Sequence, residues 1–491
     1  MAMKLVETSL RDGNQSLWGA TGLNTPMMLQ IAPVMDQVGF EAIDFTTSTH
    51  MAVAARFKQE DPWERTRLIA EAMPNTPLQF LSTGFRFISW ETASPEFMSL
   101  VFRTLVRNGV RRFALADPSN DAEANIACAK MAKEAGAESV ICALVYTISP
   151  IHDDAHYVDI ARKMSASPDV DALYVKDVGG LLTPVRALTL LPAIRAAISG
   201  GKPLELHAHA TIGLADMVYA DAPNYGISAL QCASGAASDG TSNPPSERTV
   251  ANLRALGHAV EVDDAALAKV SRYFDTLAKA EGLPPGRPRS FDARYLDHQM
   301  PGGVVGTLRR HLKECRLEGR EQDVIEELGR VRQELGWPIV MTPFAQMLVT
   351  QAVMNVSAGE RYAFIPDEIV RYALGRFGRP NIPIDANVMD RIESLPRTKE
   401  LRAEADMAPV AELRRKFGAH LSDEEFLLRA TMPEAQVDAM KAAGPAGRHY
   451  NPAMSPLLKL LKEATARRDL TYLSVQRDGF SLELRKDADA A

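Results

Sequence analysis

The stretch VETSLRDGNQS, residues 6–16, places polar side chains directly behind an apolar run near the start of the chain. The run MKLVETS is typical of a β-strand, and Arg11, Asp12 and Gln15 follow it. In α/β barrels the active site is built from residues that follow the carboxyl ends of the strands. The stretch therefore indicates a first strand that delivers these three side chains to a site.

Short β-rich runs alternate with longer helix-like segments as far as about residue 290. After the first strand come FEAIDFTT, LQFLST, RRFALAD, ESVICALVYT, ALYVKDV, LELHAHA and ISALQCAS, with segments such as EANIACAKMAKEAGA between them. About nine candidate strands with intervening helices favour a parallel α/β fold, and eight would close a TIM (β/α)8 barrel. An open, doubly wound sheet is the alternative, but no G-x-G-x-x-G follows a strand.

The composition changes in the Pro- and Gly-rich stretch EGLPPGRPRSFDARYLDHQMPGG, which indicates a domain boundary. We predict a TIM-barrel domain with a metal site over residues 1–295 and a mainly helical domain over residues 296–465. The last part, residues 466–491, contains LTYLSVQRDGFSLELRK, whose alternation around Asp-Gly is typical of a small hairpin.

Charge and cysteine usage restrict the class of protein. A net charge of −7 without a long basic run argues against a nucleic-acid partner. Four scattered cysteines without a C-x-x-C pair favour neither a zinc knot nor a disulfide framework, and they fit a reducing cytoplasm. We expect no signal peptide, no transmembrane helix and no membrane insertion, because no suitable apolar segment is present.

The pair His207 and His209 in HAHA is the most informative feature for chemistry. Histidines at positions i and i+2 of a strand point to the same face, so both can reach one metal ion. Two ordinary, partly buried histidines are the alternative. Asp12 could supply an oxygen ligand from another strand, or it could be a structural carboxylate paired with Arg11.

Lys176 lies inside the apolar run ALYVKDVGGLL, where an amine is costly unless it is paired or modified. One interpretation is an ion pair with Asp177 or with Asp117, which follows RRFALA. The other is a carbamylated lysine, whose anionic carbamate offers oxygens to a metal.

Several motifs occur in the order of a known family. TSLRDGNQS resembles its T-L-R-D-x-x-Q-S, VKDVGGLLTP its K-D-x-x-G-L-L-x-P, and HAHATIG its H-x-H-x-T-x-G. EDPWERTRLIAEAMPNTPLQFL, MPGGVVGTLRRHLKE, VMTPFAQMLVTQAV and GERY recur as well. Over roughly residues 4–400 the chain resembles the carboxyltransferase subunit of biotin-dependent carboxylases. That family includes the carboxyltransferase domain of pyruvate carboxylase, the oxaloacetate decarboxylase α-subunit and the transcarboxylase 5S subunit.

This resemblance implies a helical domain that closes over the barrel mouth and a divalent metal, usually zinc, manganese or cobalt. It implies that the metal is held by Asp12, His207, His209 and a carbamylated Lys176.

The resemblance also implies roles beside the metal. Thr342 in VMTP would shuttle a proton between substrate and biotin. Gln15 would help to bind substrate, and Arg11 would orient the Asp12 carboxylate. Carboxybiotin would arrive on a separate carrier chain, and the enzyme would be a homodimer or larger.

The segment after the third strand departs from this pattern. Where the family has L-L-R-G-x-N, with an arginine that grips the carboxylate of pyruvate, this chain has Thr83 and Gly84. Arg86, two residues on, is the candidate replacement, and Asp117 is a further candidate for substrate binding. Threonine cannot imitate the bidentate guanidinium fork. The change argues against pyruvate, and we expect another enolisable keto or acyl acceptor.

The segment TTSTHMAV is also altered and puts His50 close to the expected barrel mouth. We expect this histidine on the surface or behind the residues that touch substrate.

Biotin is expected on another polypeptide. Lys441 in DAMKAAG imitates a biotinylation site, but its context is helical with Gly444 as a stop, and no glycine-rich ATP-grasp segment is present. Biotin carboxylase and biotin carboxyl carrier subunits are therefore expected partners.

Three other functions stay open. They are a stand-alone metal-dependent lyase or aldolase, an oxaloacetate-type decarboxylase, and a non-catalytic scaffold. Lys176 and Thr342 favour the carboxyltransferase over the lyase.

Overall fold

A computed structural model describes most of the chain. The described residues are 2–89, 91–293, 295–300, 308, 312–313, 317–341, 344–378, 380, 382–452, 454–467, 469–477 and 480–485. Thr342, most of the segment MPGGVVGTLRRHLKE and the Asp-Gly pair of the expected hairpin lie outside these residues.

Parallel strands form a closed barrel in which neighbours in sequence are neighbours in space. The ring closes because Val6 of the first strand pairs with Ala42 on one side and with Gln231 of the eighth strand on the other. The predicted TIM barrel is confirmed, and the open-sheet alternative is wrong. The strands are β1 (Lys4–Glu7), β2 (Ala42–Thr47), β3 (Leu78–Ser82), β4 (Val110–Leu115), β5 (Ser139–Val145), β6 (Ala172–Asp177), β7 (Leu204–Ala208) and β8 (Ala229–Cys232).

Helices connect the strands and build the remainder of the chain. The α-helices of the barrel part are α1 (Asn14–Trp18), α2 (Thr25–Met35), α3 (Ser48–Val53), α4 (Pro62–Ala72), α5 (Pro95–Arg107), α6 (Ala122–Glu134), α7 (Asp154–Ala166), α8 (Pro184–Ala197), α9 (Ala215–Asp221), α10 (Ser246–Ala255) and α11 (Asp264–Glu281). Those that follow are α12 (Tyr295–His298), α13 (Glu321–Glu334), α14 (Phe344–Ala358), α15 (Asp367–Ala373), α16 (Ala386–Ser394), α17 (Pro396–Arg402), α18 (Val410–Phe417), α19 (Asp423–Thr431), α20 (Glu434–Ala443) and α21 (Ser455–Ala466). The predicted helical C-terminal part is confirmed.

Helix α5 shows how the local sequence sets these elements. Ser94 caps it by accepting a hydrogen bond from the Phe97 amide, and Pro95 occupies the first turn, where its missing N–H costs nothing. Phe97, Val101 and Leu105 recur at helical spacing and are buried against the barrel.

The barrel has two layers of apolar side chains, because successive strand residues point inward and outward in turn. Phe113 points outward and packs edge-on against Phe102 of α5, with ring centroids 5.3 Å apart. Its neighbour Ala114 belongs to a separate interior cluster. Ile339 and Met341, from the segment between α13 and α14, pack in that interior cluster, so the helical part contacts the inside of the barrel.

The helical part has a core of its own, which includes residues between 300 and 401. Helices α19 and α20 contribute instead to the core of the barrel. Phe426 of α19 lies 6.2 Å from Phe97 between ring centroids, and Trp63 donates a hydrogen bond to the Glu424 carbonyl. The proposed boundaries at 295 and 465 stay predictions.

Two features of the C-terminal region answer expectations from the sequence. Lys441 lies on helix α20, which ends at Gly444, and its ammonium pairs with Glu425 at 2.6 Å. The strands β9 (Tyr472–Arg477) and β10 (Phe480–Arg485) pair with each other antiparallel. In the part of the chain that is described, no helix is both long and apolar enough to span a membrane.

Replacing Phe113 with alanine tests the outer core. The ring is fully buried, so Phe113→Ala should lower the free energy of unfolding by about 3–5 kcal/mol in a urea titration. The control Phe57→Ala removes a ring that is 62% exposed and should change stability by less than about 0.5 kcal/mol. Equal effects of the two substitutions would contradict the assigned packing.

Candidate active site at the barrel mouth

The first strand delivers a buried carboxylate to the mouth of the barrel. After β1 the chain turns through a π-helical segment, Ser9–Gly13, in which Asp12 is buried. The Asp12 carboxylate accepts a hydrogen bond from Ser16 at 2.6 Å and pairs with the Arg11 guanidinium at 2.9 Å. Its oxygens are thus oriented from two sides.

The two histidines of β7 reach this carboxylate. His207 Nε2 lies 3.1 Å from Asp12 Oδ2, and His209 Nε2 lies 3.3 Å from each Asp12 oxygen. Metal–ligand bonds of about 2.0–2.1 Å in tetrahedral geometry place ligand atoms roughly 3.3 Å apart. The spacing of this donor set therefore fits a single divalent ion, and within the described residues Asp12, His207 and His209 form a group that could hold one.

Lys176 of β6 completes the cluster from the next strand. Its Nζ lies 3.3 Å from His207 Nε2 and 3.9 Å from the nearest Asp12 oxygen. The alternative partner Asp177 directs its carboxylate elsewhere, because its oxygens accept hydrogen bonds from the amides of Leu181 and Leu182. The Lys176 amine thus faces Asp12 and His207, and not the adjacent Asp177.

Burial and charge prepare these groups for binding a cation. Burial alone would raise the pKa of Asp12, but Arg11 and the two histidines hold it well below its usual range. Burial and the nearby Lys176 lower the pKa of His207 to about 3, so its ring is neutral at physiological pH. Burial and Arg11 lower the pKa of Lys176 to about 8.

A chain of buried polar side chains stands behind His207. The Oε1 atom of Gln231 lies 2.9 Å from His207 Nδ1, and the Gln231 amide donates to Glu205 at 3.4 Å. Glu205 is held in turn by Arg112 at 2.5 Å. If Gln231 accepts the Nδ1 proton, the Nε2 lone pair is left free toward Asp12.

Sequence reasoning identified neither the row of buried polar side chains behind His207 nor the carboxylate of Asp44. Asp44 of β2 accepts a hydrogen bond from Arg11 Nε at 2.7 Å and another from Gln79 at 3.2 Å. Arg11 therefore bridges Asp12 and Asp44. The only signal in the sequence was the presence of charged residues inside apolar strands, and that pattern does not reveal their partners.

The candidate substrate-binding residues follow three strands: Arg11 and Gln15 come after β1, Thr83 and Arg86 after β3, and Asp117 after β4. Arg86 Nη1 donates to the Thr83 carbonyl at 3.1 Å and lies 3.9 Å from an Asp117 oxygen. Its Nε is buried without a hydrogen-bond partner among the described residues. The Oε1 atom of Gln15 is also buried and has no partner within the described ranges. Both groups therefore keep unused hydrogen-bonding capacity.

For two further residues, His50 and Thr342, the structure gives a different or incomplete answer. His50 is buried, which excludes the surface position and leaves the expected position behind the substrate-contacting residues as a prediction, and its ring lies near Arg11. Thr342 lies outside the described residues, while the residue before it, Met341, packs in the barrel interior. The role of Thr342 stays a prediction.

Comparison with known proteins distinguishes the carboxyltransferase from the stand-alone lyase. The family described as HMGL-like matches residues 2–273, and the family described as a conserved carboxylase domain matches residues 296–468. A stand-alone lyase gives no reason for a carboxylase domain in the helical part. The second match therefore favours the carboxyltransferase.

Curated relatives are similar to this chain along most of their own length. A pyruvate carboxylase subunit of Methanocaldococcus jannaschii is 33% identical over 445 residues, which cover 89% of this chain and 78% of the relative. The 2-oxoglutarate carboxylase large subunit of Hydrogenobacter thermophilus is 30% identical, covering 91% and 70%. The methylmalonyl-CoA carboxyltransferase 5S subunit of Propionibacterium freudenreichii is 29% identical, covering 88% and 86%.

The fold recurs in a solved structure, that of the carboxyl transferase domain from Rhizobium etli pyruvate carboxylase with pyruvate and biocytin. It matches with a TM-score of 0.82 at 24% identity, covering 99% of this chain and 84% of that one. The family predicted from the sequence motifs is confirmed by the relatives and by the matches to both parts of the chain. This protein belongs to the carboxyltransferases of the biotin-dependent carboxylases, enzymes that use biotin and a divalent metal ion.

Proposed function

We propose that this chain is the carboxyltransferase subunit of a multi-subunit carboxylase. It moves carbon dioxide between carboxybiotin, carried on a separate chain, and a small enolisable acceptor. The observation that carries the proposal is the convergence of Asp12, His207 and His209, with Lys176 beside them, at the barrel mouth. Relatives named as subunits support the division of the reaction among several chains.

The four converging residues hold the metal in this proposal. When bound, the ion stabilises the negative charge that develops on the acceptor as it is deprotonated. Asp12 enters as a carboxylate and the histidines enter through Nε2. The lowered pKa of Lys176 leaves more of its amine neutral, and a neutral amine can add to carbon dioxide with loss of a proton. The resulting carbamate supplies the oxygen that an ammonium group lacks.

The acceptor is a small oxo acid on this proposal. Arg86 is buried, its Asp117 partner is 3.9 Å away, and its Nε has no partner among the described residues, so an incoming carboxylate can use that donor. Gln15 orients the acceptor from the end of β1. Thr342 relays the proton between the acceptor carbon and biotin, as the motif VMTP suggests.

Purification of the chain from its own source tests the division of labour. Mass spectrometry should identify a biotin carboxylase and a biotinylated carrier that co-purify with it. Lys441→Arg should leave the biotin signal unchanged, because that lysine lies on a helix and pairs with Glu425. A metal-loaded homo-oligomer without a biotinylated partner would contradict the proposal.

Substitution of Lys176 tests its place at the metal. Lys176→Ala should lower the metal content, measured by plasma mass spectrometry after dialysis, and carboxyl transfer should fall with it. The loss in affinity should exceed about tenfold, since a ligand and its charge are removed. Lys130→Ala, on an exposed lysine of α6, is the control and should keep full metal content. Full metal content in Lys176→Ala would refute the ligand role.

Substitution of Gln231 tests the support behind His207. Gln231→Leu removes the acceptor for Nδ1–H and should weaken metal binding by about 10–100-fold in a chelator competition. Gln351→Leu is the matched control, because Gln351 is a buried glutamine in the core region of the helical part. Metal affinity should stay unchanged in the control. An equal loss in both variants would reduce Gln231 to a contributor to stability.

A further inference from the structure

His50 occupies an unusual position for a buried polar side chain. It lies on helix α3, directly after β2, and only 2% of it is exposed. Its ring lies beside the main chain of Arg11, which is the residue before Asp12. The Arg11 main chain lies close enough to act on the ring as a weak hydrogen-bond partner, but neither ring nitrogen meets the distance and angle of a hydrogen bond to a described residue.

An unsatisfied pair of buried nitrogens destabilises a folded chain, and buried polar atoms in proteins are nearly always hydrogen-bonded. Such a ring is therefore a candidate for a partner that binds from outside the chain. Burial, together with Arg11 and Arg65, lowers the pKa of His50 to about 3, while Asp12 acts in the opposite direction. The neutral ring offers one N–H donor and one acceptor nitrogen.

Other unsatisfied polar atoms lie on the neighbouring connections at the same end of the barrel. Ser48 Oγ precedes His50 on the same helix, Gln15 Oε1 follows β1, and Arg86 Nε follows β3. All are buried without a partner among the described residues. Because β1, β2 and β3 are adjacent in the ring, these groups occupy three consecutive connections on one side of the mouth. The donors among them, on Ser48, His50 and Arg86, can be satisfied together by the acceptor oxygens of one small molecule.

We propose that His50 determines the choice of acceptor by donating a hydrogen bond from its ring N–H to an oxygen of a small oxo acid, whose carboxylate is bound by Arg86. This inference rests on the proposed function and adds a residue that neither the motifs nor the metal site required. The imidazole acts as a neutral hydrogen-bonding group and takes no part in proton transfer. His50 is thus a specificity-determining residue on the connection between the two that carry Gln15 and Arg86.

The test uses the metal-loaded full chain and three probes: pyruvate, 2-oxobutyrate and 2-oxoglutarate. Isothermal titration calorimetry gives the Kd of each probe for the wild type, His50→Phe, His50→Asn and His50→Gln. Asparagine can place an amide near the position of Nδ1, and glutamine near that of Nε2. His420→Phe makes the same change at an exposed histidine of the helical part and serves as the control.

Loss of one hydrogen bond should weaken the preferred probe roughly tenfold in His50→Phe. One of the two amide variants should recover most of that loss, and kcat should change less than KM. The control should bind as the wild type does. Unchanged affinity in His50→Phe would overturn the inference, and so would a wild-type chain that binds metal but none of the three oxo acids.

Two measurements separate this inference from its premises. Metal content and Tm are recorded for each variant, and a wild type that binds no metal would contradict the proposed function itself. Should the variants unfold, nitrogen NMR of histidine-labelled wild type decides. The shifts of a buried neutral ring should move when the preferred oxo acid is added, and histidine shifts that stay fixed in the bound complex would overturn the role of His50.

Discussion

The site depends on keeping one carboxylate ionised in a buried position. Asp12 is nearly inaccessible, and a charge there would be prohibitively costly without partners. Arg11 supplies the compensating charge and is itself anchored by Asp44. With this geometry fixed, the histidines of β7 can meet Asp12 at the spacing of metal ligands.

Desolvation lowers the pKa of both basic groups beside that carboxylate. It keeps His207 neutral and increases the fraction of Lys176 amine that is neutral, which is the protonation that the proposed metal site requires. The buried chain from Arg112 through Glu205 to Gln231 then fixes the orientation of His207. The protonation of these groups and the orientation of His207 are therefore set by different parts of the structure.

The two sides of the mouth differ in how closely they follow the family pattern. The metal side keeps every expected ligand position, whereas the acceptor side has Thr83 in place of the expected arginine. Arg86 and His50 stand there with unused hydrogen-bonding atoms. The difference between the two sides is the reason to propose a retained reaction centre with an altered acceptor site.

The sequence by itself determined the alternation of strands and helices, and it placed Asp12, Lys176 and the histidine pair at strand ends, because periodicity and strand direction are local properties. Only the closed barrel decided which of these groups meet, since Asp12 and His207 are far apart in the chain. The partners Asp44 and Gln231, and the burial of His50, also depend on packing between distant strands. The burial of a polar residue can be predicted from the apolar strand that contains it. The residue with which it pairs is decided only when the barrel closes.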